Sequence, residues 1–260
     1  MEIITSRANP TVIETAKLKD KKYREEKKAF LFEGIKLARE AISSGVDIIN
    51  VFLTEKAAYK YPDLAKKKNC IIISESVCMK LSENSAPDGV ICTAKYLENL
   101  HKIYNKQTFT CPKDACLILS SIRDPGNLGT IARTSAAFGK KTLIISDDCA
   151  DIYNQKTIRA SMGAIFRTSI YRTRDLCETI NSIKKQGTSV YAAALDRNAV
   201  ELQTVKDTKN SCFVLGNEGH GLDMEVIDSC TGTVIIPMEK DAESLNVSSA
   251  ASVILWEAYR

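Results

Sequence analysis

An α/β chain of two modules, the second built on a parallel sheet, is the expectation set by three observations. Short apolar runs alternate with stretches whose apolar residues recur at helical spacing. The pattern lapses from Lys95 to Cys111, a polar segment without sustained periodicity that is closed by Pro112. Near the C-terminus two apolar strands, Phe213-Val214-Leu215 and Val234-Ile235-Ile236, each run into a loop, Gly216-Asn217-Glu218-Gly219 after one and Pro237 onward after the other. In parallel sheets, ligands sit beyond the carboxyl ends of strands, so two such loops can wall one pocket.

In the first module Pro10 suits a first helical turn, and Val12, Ile13, Ala16 and Leu18 form an apolar stripe. A turn then leads to a short buried strand at Phe30-Leu31-Phe32, and Ile35, Leu37, Ala38, Ala41 and Ile42 share one face of the next helix. Strands are predicted at Val46–Leu53, Cys70–Ser74 and Val90–Ala94, and helices at Ala57–Lys68, interrupted near Pro62, and Glu75–Leu81. The second module opens with a strand at Cys116–Leu119, a turn at DPGNLG and a helix over Thr130–Phe138. Strand Lys141–Ser146, the helical stretch QKTIRASMGAIFR, strand Thr168–Tyr171, helix Leu176–Lys185 and strand Ser189–Leu195 follow. The last helix is marked by Ser248, Ala250, Ala251, Ile254, Leu255 and Ala258. The boundaries expected are 1–98, a linker over 99–112 carrying His101 as a solvated histidine, and 113–260.

Composition narrows the class. At 260 residues the chain can bury a full core. No apolar run reaches the roughly 18 residues of a membrane span, and MEIITSRANP lacks the pattern of a signal peptide, so a cytoplasmic protein is expected. Nine cysteines show no CxxC and no Cys/His zinc spacing; reduced thiols and no metal are expected. A net charge of +4 would not alone predict a nucleic-acid partner. From Lys17 to Lys28, however, seven basic residues face three acidic ones, either a solvated helix surface or a phosphate-binding stripe. No GxGxxG follows a strand and no GxxxxGK[ST] is present, which sets aside dinucleotide-dependent oxidoreductases and P-loop triphosphatases.

Three segments in order, DPGNLGTIARTSAAFG, LGNEGHGL and IPMEKDAESLNVSSAAS, resemble the motifs of the SpoU/TrmH family of SPOUT RNA 2′-O-ribose methyltransferases. The N-terminal stretch from Ser6 to Gly45 resembles the substrate-binding domain, similar to ribosomal protein L30e, that precedes many of these catalytic domains. The resemblance implies a trefoil knot in the C-terminal domain, S-adenosyl-L-methionine as methyl donor, and a homodimer through the knotted domain with Trp256 as an anchor. It also implies a structured RNA substrate: 23S rRNA, with tRNA as the alternative. The rival class is a non-catalytic RNA-binding or ribosome-assembly protein on the same scaffold.

Carried over residue by residue, Arg133, Asn127, Glu218, Asn246 and Ser244 are the expected catalytic set. The resemblance assigns Arg133 either to deprotonating the 2′-hydroxyl or to positioning it; a guanidinium stays protonated in proteins, which favours a fixed cation beside the hydroxyl or its phosphate, with Asn127 or Glu218 orienting it. The resemblance places the cofactor against Ala194, Leu195, Gly216, Asn217, Gly219, Ile236, Met238, Leu245 and Asn246. RNA contacts are expected from Lys17, Lys21, Lys22, Arg24 and Arg159. Plain alternatives stand beside these: turn geometry for the glycines, helix capping for Ser244 and Asn246, and core packing for Trp256. One departure from the family pattern is Lys240, where glycine is common.

Overall fold

The computed structural model describes residues 3–112, 116–196, 198–239 and 244–260; Lys240 lies outside them. The chain divides into two compact units, 1–97 with 151–166, and 98–150 with 167–260.

The first unit carries β1 (Ile3–Ile4), α1 (Pro10–Lys17), α2 (Lys21–Lys27), β2 (Ala29–Glu33), α3 (Ile35–Ser43), β3 (Ile48–Thr54), α4 (Glu55–Lys60), α5 (Pro62–Ala65), β4 (Cys70–Ile73), α6 (Glu75–Leu81) and β5 (Val90–Lys95). Its mixed five-stranded sheet runs β1-β4-β3-β5-β2, with β5 antiparallel to both neighbours. The connection expected as a turn before β2 is a second helix. Asp20 caps it by accepting from the Tyr23 N–H, and Lys28 ends it in the left-handed region at φ 49°. Every residue of β2 is buried. One reason is that residues 151–166, expected in the second module, pack here: Phe30 lies 4.8 Å from Tyr153 and Phe32 5.3 Å from Phe166, ring centre to ring centre. The helix expected over QKTIRASMGAIFR covers Gln155–Ala160 and breaks at Met162 and Gly163, both at positive φ. A Cβ at Gly163 would lie 2.7 Å from that of Glu40, which keeps the position a glycine.

The second unit holds β6 (His101–Ile103), β7 (Leu117–Leu119), α7 (Pro125–Ala137) and β8 (Thr142–Ser146). After the helix just described, α8, come β9 (Ser169–Thr173), α9 (Leu176–Lys185), β10 (Val190–Ala193), β11 (Val200–Glu201), β12 (Cys212–Leu215), α10 (Met224–Ser229), β13 (Gly232–Ile235) and α11 (Val247–Tyr259). All pairings in its eight-stranded sheet, β11-β13-β10-β12-β7-β8-β9-β6, are parallel. The segment expected as a linker thus contributes an edge strand, and His101 sits in it. Ile118, Ile144, Val190 and Val214 form the core with Ile180 and Ile183 of α9. Strand order reverses between β7, whose sequence successor β8 lies on one side, and β12 on the other. That switch point leaves a crevice at the carboxyl ends of both.

Candidate active site

Three loops meet at that crevice. The first follows β7. Asp124 accepts from the Asn127 backbone N–H at 2.9 Å and Pro125 takes the first helical position, so DPGNLG, expected to be a turn, opens α7 itself. Asn127 therefore sits in a first helical turn with its side chain free of capping duty. Just before it, Ser121 holds a left-handed φ of 56°. Its N–H donates to the Ser146 hydroxyl at 2.8 Å and its own hydroxyl to Asp148 at 2.6 Å. Burial pushes the Asp148 carboxyl up, but the Ser121 and Ser146 hydroxyls outweigh it and hold it below the ordinary value.

The second loop follows β12 and closes on itself: Asn217 and Gly221 exchange backbone hydrogen bonds of 3.0 and 2.9 Å. A Cβ on Gly216 would lie 2.4 Å from the Gly221 carbonyl oxygen. The glycine there permits a close approach of the loop to itself. Gly219 meets only Asn217 Oδ1, at 3.4 Å, and the left-handed residue is Gly221, at φ 70°. Asn217, expected on the cofactor, also builds the loop. Its Oδ1 accepts from the Gly219 and His220 N–H groups at 2.8 and 3.3 Å, and its Nδ2 donates to the Ser121 carbonyl at 2.8 Å. Glu218 is left exposed at the tip.

The third loop leads from β13 into α11. Asn246 caps the helix, its Oδ1 accepting from the Ser248 N–H at 2.9 Å and hydroxyl at 2.6 Å. Its Nδ2 donates to Asn127 Oδ1 at 3.3 Å, and Asn127 Nδ2 donates to the Glu218 carboxylate. The result is a directed hydrogen-bond chain, Asn246 to Asn127 to Glu218, that draws three distant sequence segments together and ends on a charge. Arg133 is not part of it. It is exposed and makes no hydrogen bond or ion pair among the described residues, so neither expected anchor, Asn127 or Glu218, holds it.

Beside the polar chain lies an apolar cleft of about 140 Å³. Its walls are Ala193, Ala194 and Leu195 at the end of β10, Val234, Ile235, Ile236 and Met238 along β13 and beyond, and Ser244, Leu245 and Ala250. Five of the expected cofactor contacts, Ala194, Leu195, Ile236, Met238 and Leu245, are here; Gly216, Asn217, Gly219 and Asn246 are not among its lining. Ser244, expected with the catalytic set, lines the cleft rather than the polar chain. Ala250 was missed although it stands four residues after Asn246, one turn further along the same helix face. The cleft is smaller than the roughly 300–1,000 Å³ of a site enclosing a whole drug-sized ligand. Its small apolar walls fit a flat ring system lodged between strand ends, with the polar part of the ligand left to the loops.

The basic stripe of the first unit divides. Lys17, Lys21 and Lys22 are exposed, the first two facing Glu14 at 2.7 Å and Glu25 at 3.9 Å. Arg24 corrects the expectation of an RNA contact. It is 3% exposed, its Nη2 lies 2.5 Å from Asp151, and its Nη1 donates to the Leu18 and Lys19 carbonyls at 2.8 and 2.7 Å. Lys19 likewise turns inward, onto the Lys80 and Ser82 carbonyls. Arg159 donates to Asn84 at 2.7 Å and stands 3.7 Å from the buried Glu33, with its side chain 44% exposed.

Comparison with known proteins supplies the context for this geometry. Residues 114–256 match the SpoU rRNA Methylase family, and residues 9–92 match the MRM3-like substrate binding domain. The chain is 30% identical over 256 residues to the 23S rRNA (guanosine(2553)-2′-O)-methyltransferase RlmP of Bacillus subtilis (strain 168), covering 98% of each chain. It is 38% identical over 144 residues to the 23S rRNA (guanosine-2′-O-)-methyltransferase RlmB of Xanthomonas campestris, 55% of this chain and 57% of that one. Among solved structures, the AdoMet-bound rRNA methyltransferase of Sinorhizobium meliloti superposes with a TM-score of 0.85 at 27% identity, over 99% of this chain and 97% of the other.

Proposed function

Since the chain belongs to the SpoU rRNA methylase family and is an S-adenosylmethionine-dependent RNA 2′-O-ribose methyltransferase, we propose that it methylates a nucleotide of 23S rRNA in the cytoplasm, using the cleft and hydrogen-bond chain described above. The observation that carries the assignment of the site is the adjacency of an apolar cleft at the ends of β10 and β13 to the Asn246–Asn127–Glu218 chain. Two named 23S rRNA methyltransferases among the relatives support the substrate.

S-adenosylmethionine supplies a methyl group on a sulfonium. Ala193, Ala194, Leu195, Ile236, Met238 and Leu245 would hold it by apolar contact, with Ser244 as a polar group in the wall. Asn127 and Asn246 fix the spacing of the first and third loops, so that donor and ribose meet in register. Glu218 anchors Asn127. Arg133 is the fixed cation that receives the ribose, favouring the alkoxide that develops as the 2′-hydroxyl loses its proton. Its exposure and its lack of a partner among the described residues support a site completed by a second copy.

The homodimer through the trefoil-knotted domain belongs to the same proposal. Trp256, 51% exposed, packs edge-on against Phe138 with ring centres 5.9 Å apart, and Tyr259 lies 5.5 Å from Phe138. Such an aromatic cluster suits an isologous contact better than a core position. In the first unit, Lys17, Lys21 and Lys22 contact RNA phosphates.

The test is methyl transfer from labelled S-adenosylmethionine to unmodified 23S rRNA and tRNA, with wild type beside Arg133→Ala. Transfer to 23S rRNA, lost in the variant while cofactor binding by calorimetry is retained, is the expected result. Transfer to tRNA alone refutes the substrate, and a full rate in Arg133→Ala refutes the role of the arginine. A monomer by sedimentation at micromolar concentration refutes the dimer.

A further inference from the structure

Three of the nine cysteines, scattered in sequence, converge at the amino end of the parallel sheet. Cys116 immediately precedes β7, Cys212 opens β12 beside it, and Cys111 ends the segment that follows β6. The Cys116 and Cys212 sulfurs are 3.3 Å apart, those of Cys111 and Cys212 3.7 Å, and all three lie within 4.8 Å of one another. Cys116 and Cys212 are buried and Cys111 is half-buried, which gives the cluster one open side. The other half-buried cysteines, Cys70 and Cys177, belong to no such group among the described residues.

We propose that Cys111, Cys116 and Cys212 form a three-thiolate binding site for a thiophilic d¹⁰ cation, Zn²⁺ or Cu⁺, that fastens the two central strands to the segment preceding them. The spacing carries the argument. With metal–sulfur bonds of about 2.3 Å, three thiolates around one ion stand roughly 3.8–4.0 Å apart, so the sulfurs need shift only by about half an ångström from the 3.3 and 3.7 Å already present. Soft thiolate ligands select Zn²⁺ and Cu⁺ over hard cations. The thiol protons leave to solvent as the ion binds.

The location defines the role. Cys111 is already anchored through its N–H, which donates to Gln186 Oε1 at 2.9 Å, and β7 and β12 carry at their opposite ends the loops bearing Ser121 and Glu218. The ion would stabilise the strands that present the active site without touching it.

The test uses the full chain, reduced and then freed of thiol reagents under anaerobic conditions. It is equilibrated separately with Zn²⁺, with Co²⁺ as a coloured reporter of the zinc site, and with Cu⁺, then gel-filtered for metal analysis. About one retained Zn²⁺ or Cu⁺ per chain is expected, and whichever is retained identifies the ion. Co²⁺ should give thiolate-to-metal charge-transfer absorption. Cys111→Ser is the leading variant because its side chain is not fully buried, and it should weaken binding more than about 100-fold while Cys177→Ser leaves it unchanged. A wild-type chain that retains no ion overturns the proposal, as does a Co²⁺ spectrum without thiolate bands, unchanged binding in Cys111→Ser, or a disulfide among the three in the reduced protein.

Discussion

Asn246 performs two tasks with two ends of one side chain, and a pair of substitutions separates them. Its Oδ1 caps α11 and its Nδ2 reaches Asn127. Asn246→Ala removes both. Loss of an N-cap costs about 1 kcal/mol, within a range of roughly 0.5–2 kcal/mol, which in a domain of this size lowers Tm by about 2–4 °C. Asn246→Asp keeps an acceptor suited to the cap, so Tm should stay within about 1 °C of wild type. It nonetheless loses the amide donor and places a second carboxylate beside the Asn127–Glu218 pair. Because Asn246 and Glu218 are both exposed, water can replace the lost hydrogen bond and the stability cost is small. Catalytic positioning has no such substitute, and a rate loss of about 10-fold or more is expected for Asn246→Asp and for Asn127→Ala alike. Thermal denaturation and single-turnover methyl transfer, run on wild type and the three variants, decide the matter. Asn246→Asp that transfers methyl at the wild-type rate refutes the positioning role, and a Tm as low as that of Asn246→Ala refutes the division of labour.

Other substitutions test the remaining assignments. Ala250→Leu projects a larger side chain into the cleft while keeping a good helix former, so S-adenosylmethionine Kd should rise about 10-fold or more by calorimetry with little change in Tm. Arg24→Met leaves the largely buried Asp151 without its cationic partner and should cost about 3 kcal/mol in denaturant unfolding, with no change in the salt dependence of RNA binding; Lys22→Ala should do the reverse, lowering the salt slope by about one without loss of stability. Asp148, held below its unfolded value, contributes stability above the unfolded carboxylate pKa of about 3.9 and loses it as pH falls through the folded value. Asp148→Asn should therefore be less stable than wild type at neutral pH, and the difference should vanish on acidification in pH-dependent denaturation.

Most of the longer strands and helices were legible because the apolar periods of 2 and 3.6 are local properties of the sequence, and the parallel sheet of the second unit followed from their alternation, whereas the short α2, β6, β11 and α10 carry too few apolar residues to set a period. What was not legible depended on partners distant in sequence. Arg24 looks like the other members of the Lys17–Lys28 stripe, and nothing near it announces that Asp151 will bury it. The aromatic residues Tyr153 and Phe166 read as parts of the second module because sequence order placed them there, whereas their rings pack against Phe30 and Phe32. The cysteines escaped for the same reason. Zinc spacing in sequence detects ligands on one loop or hairpin, not three sulfurs supplied by two neighbouring parallel strands and a preceding segment.

The second loop shows how residues expected at a ligand also carry the geometry of the loop itself. Glycine and asparagine in LGNEGHGL invite a ligand-contact reading because small and amide side chains suit both ligands and turns. Geometry divides them. Gly216 is required by the Gly221 carbonyl, Asn217 spends its amide on the loop and on Ser121, and Gly221 supplies the left-handed residue, which leaves the Glu218 and His220 side chains exposed. A loop closed so tightly holds Glu218 in place, and that carboxylate is what Asn127 needs to keep its carbonyl oxygen turned toward Asn246. Replacing Gly216 by alanine should therefore disturb catalysis through Asn127 rather than through a ligand contact. Its rate loss should not add to that of Asn127→Ala in the double variant, since both break the same chain; full additivity would return Gly216 to the cofactor.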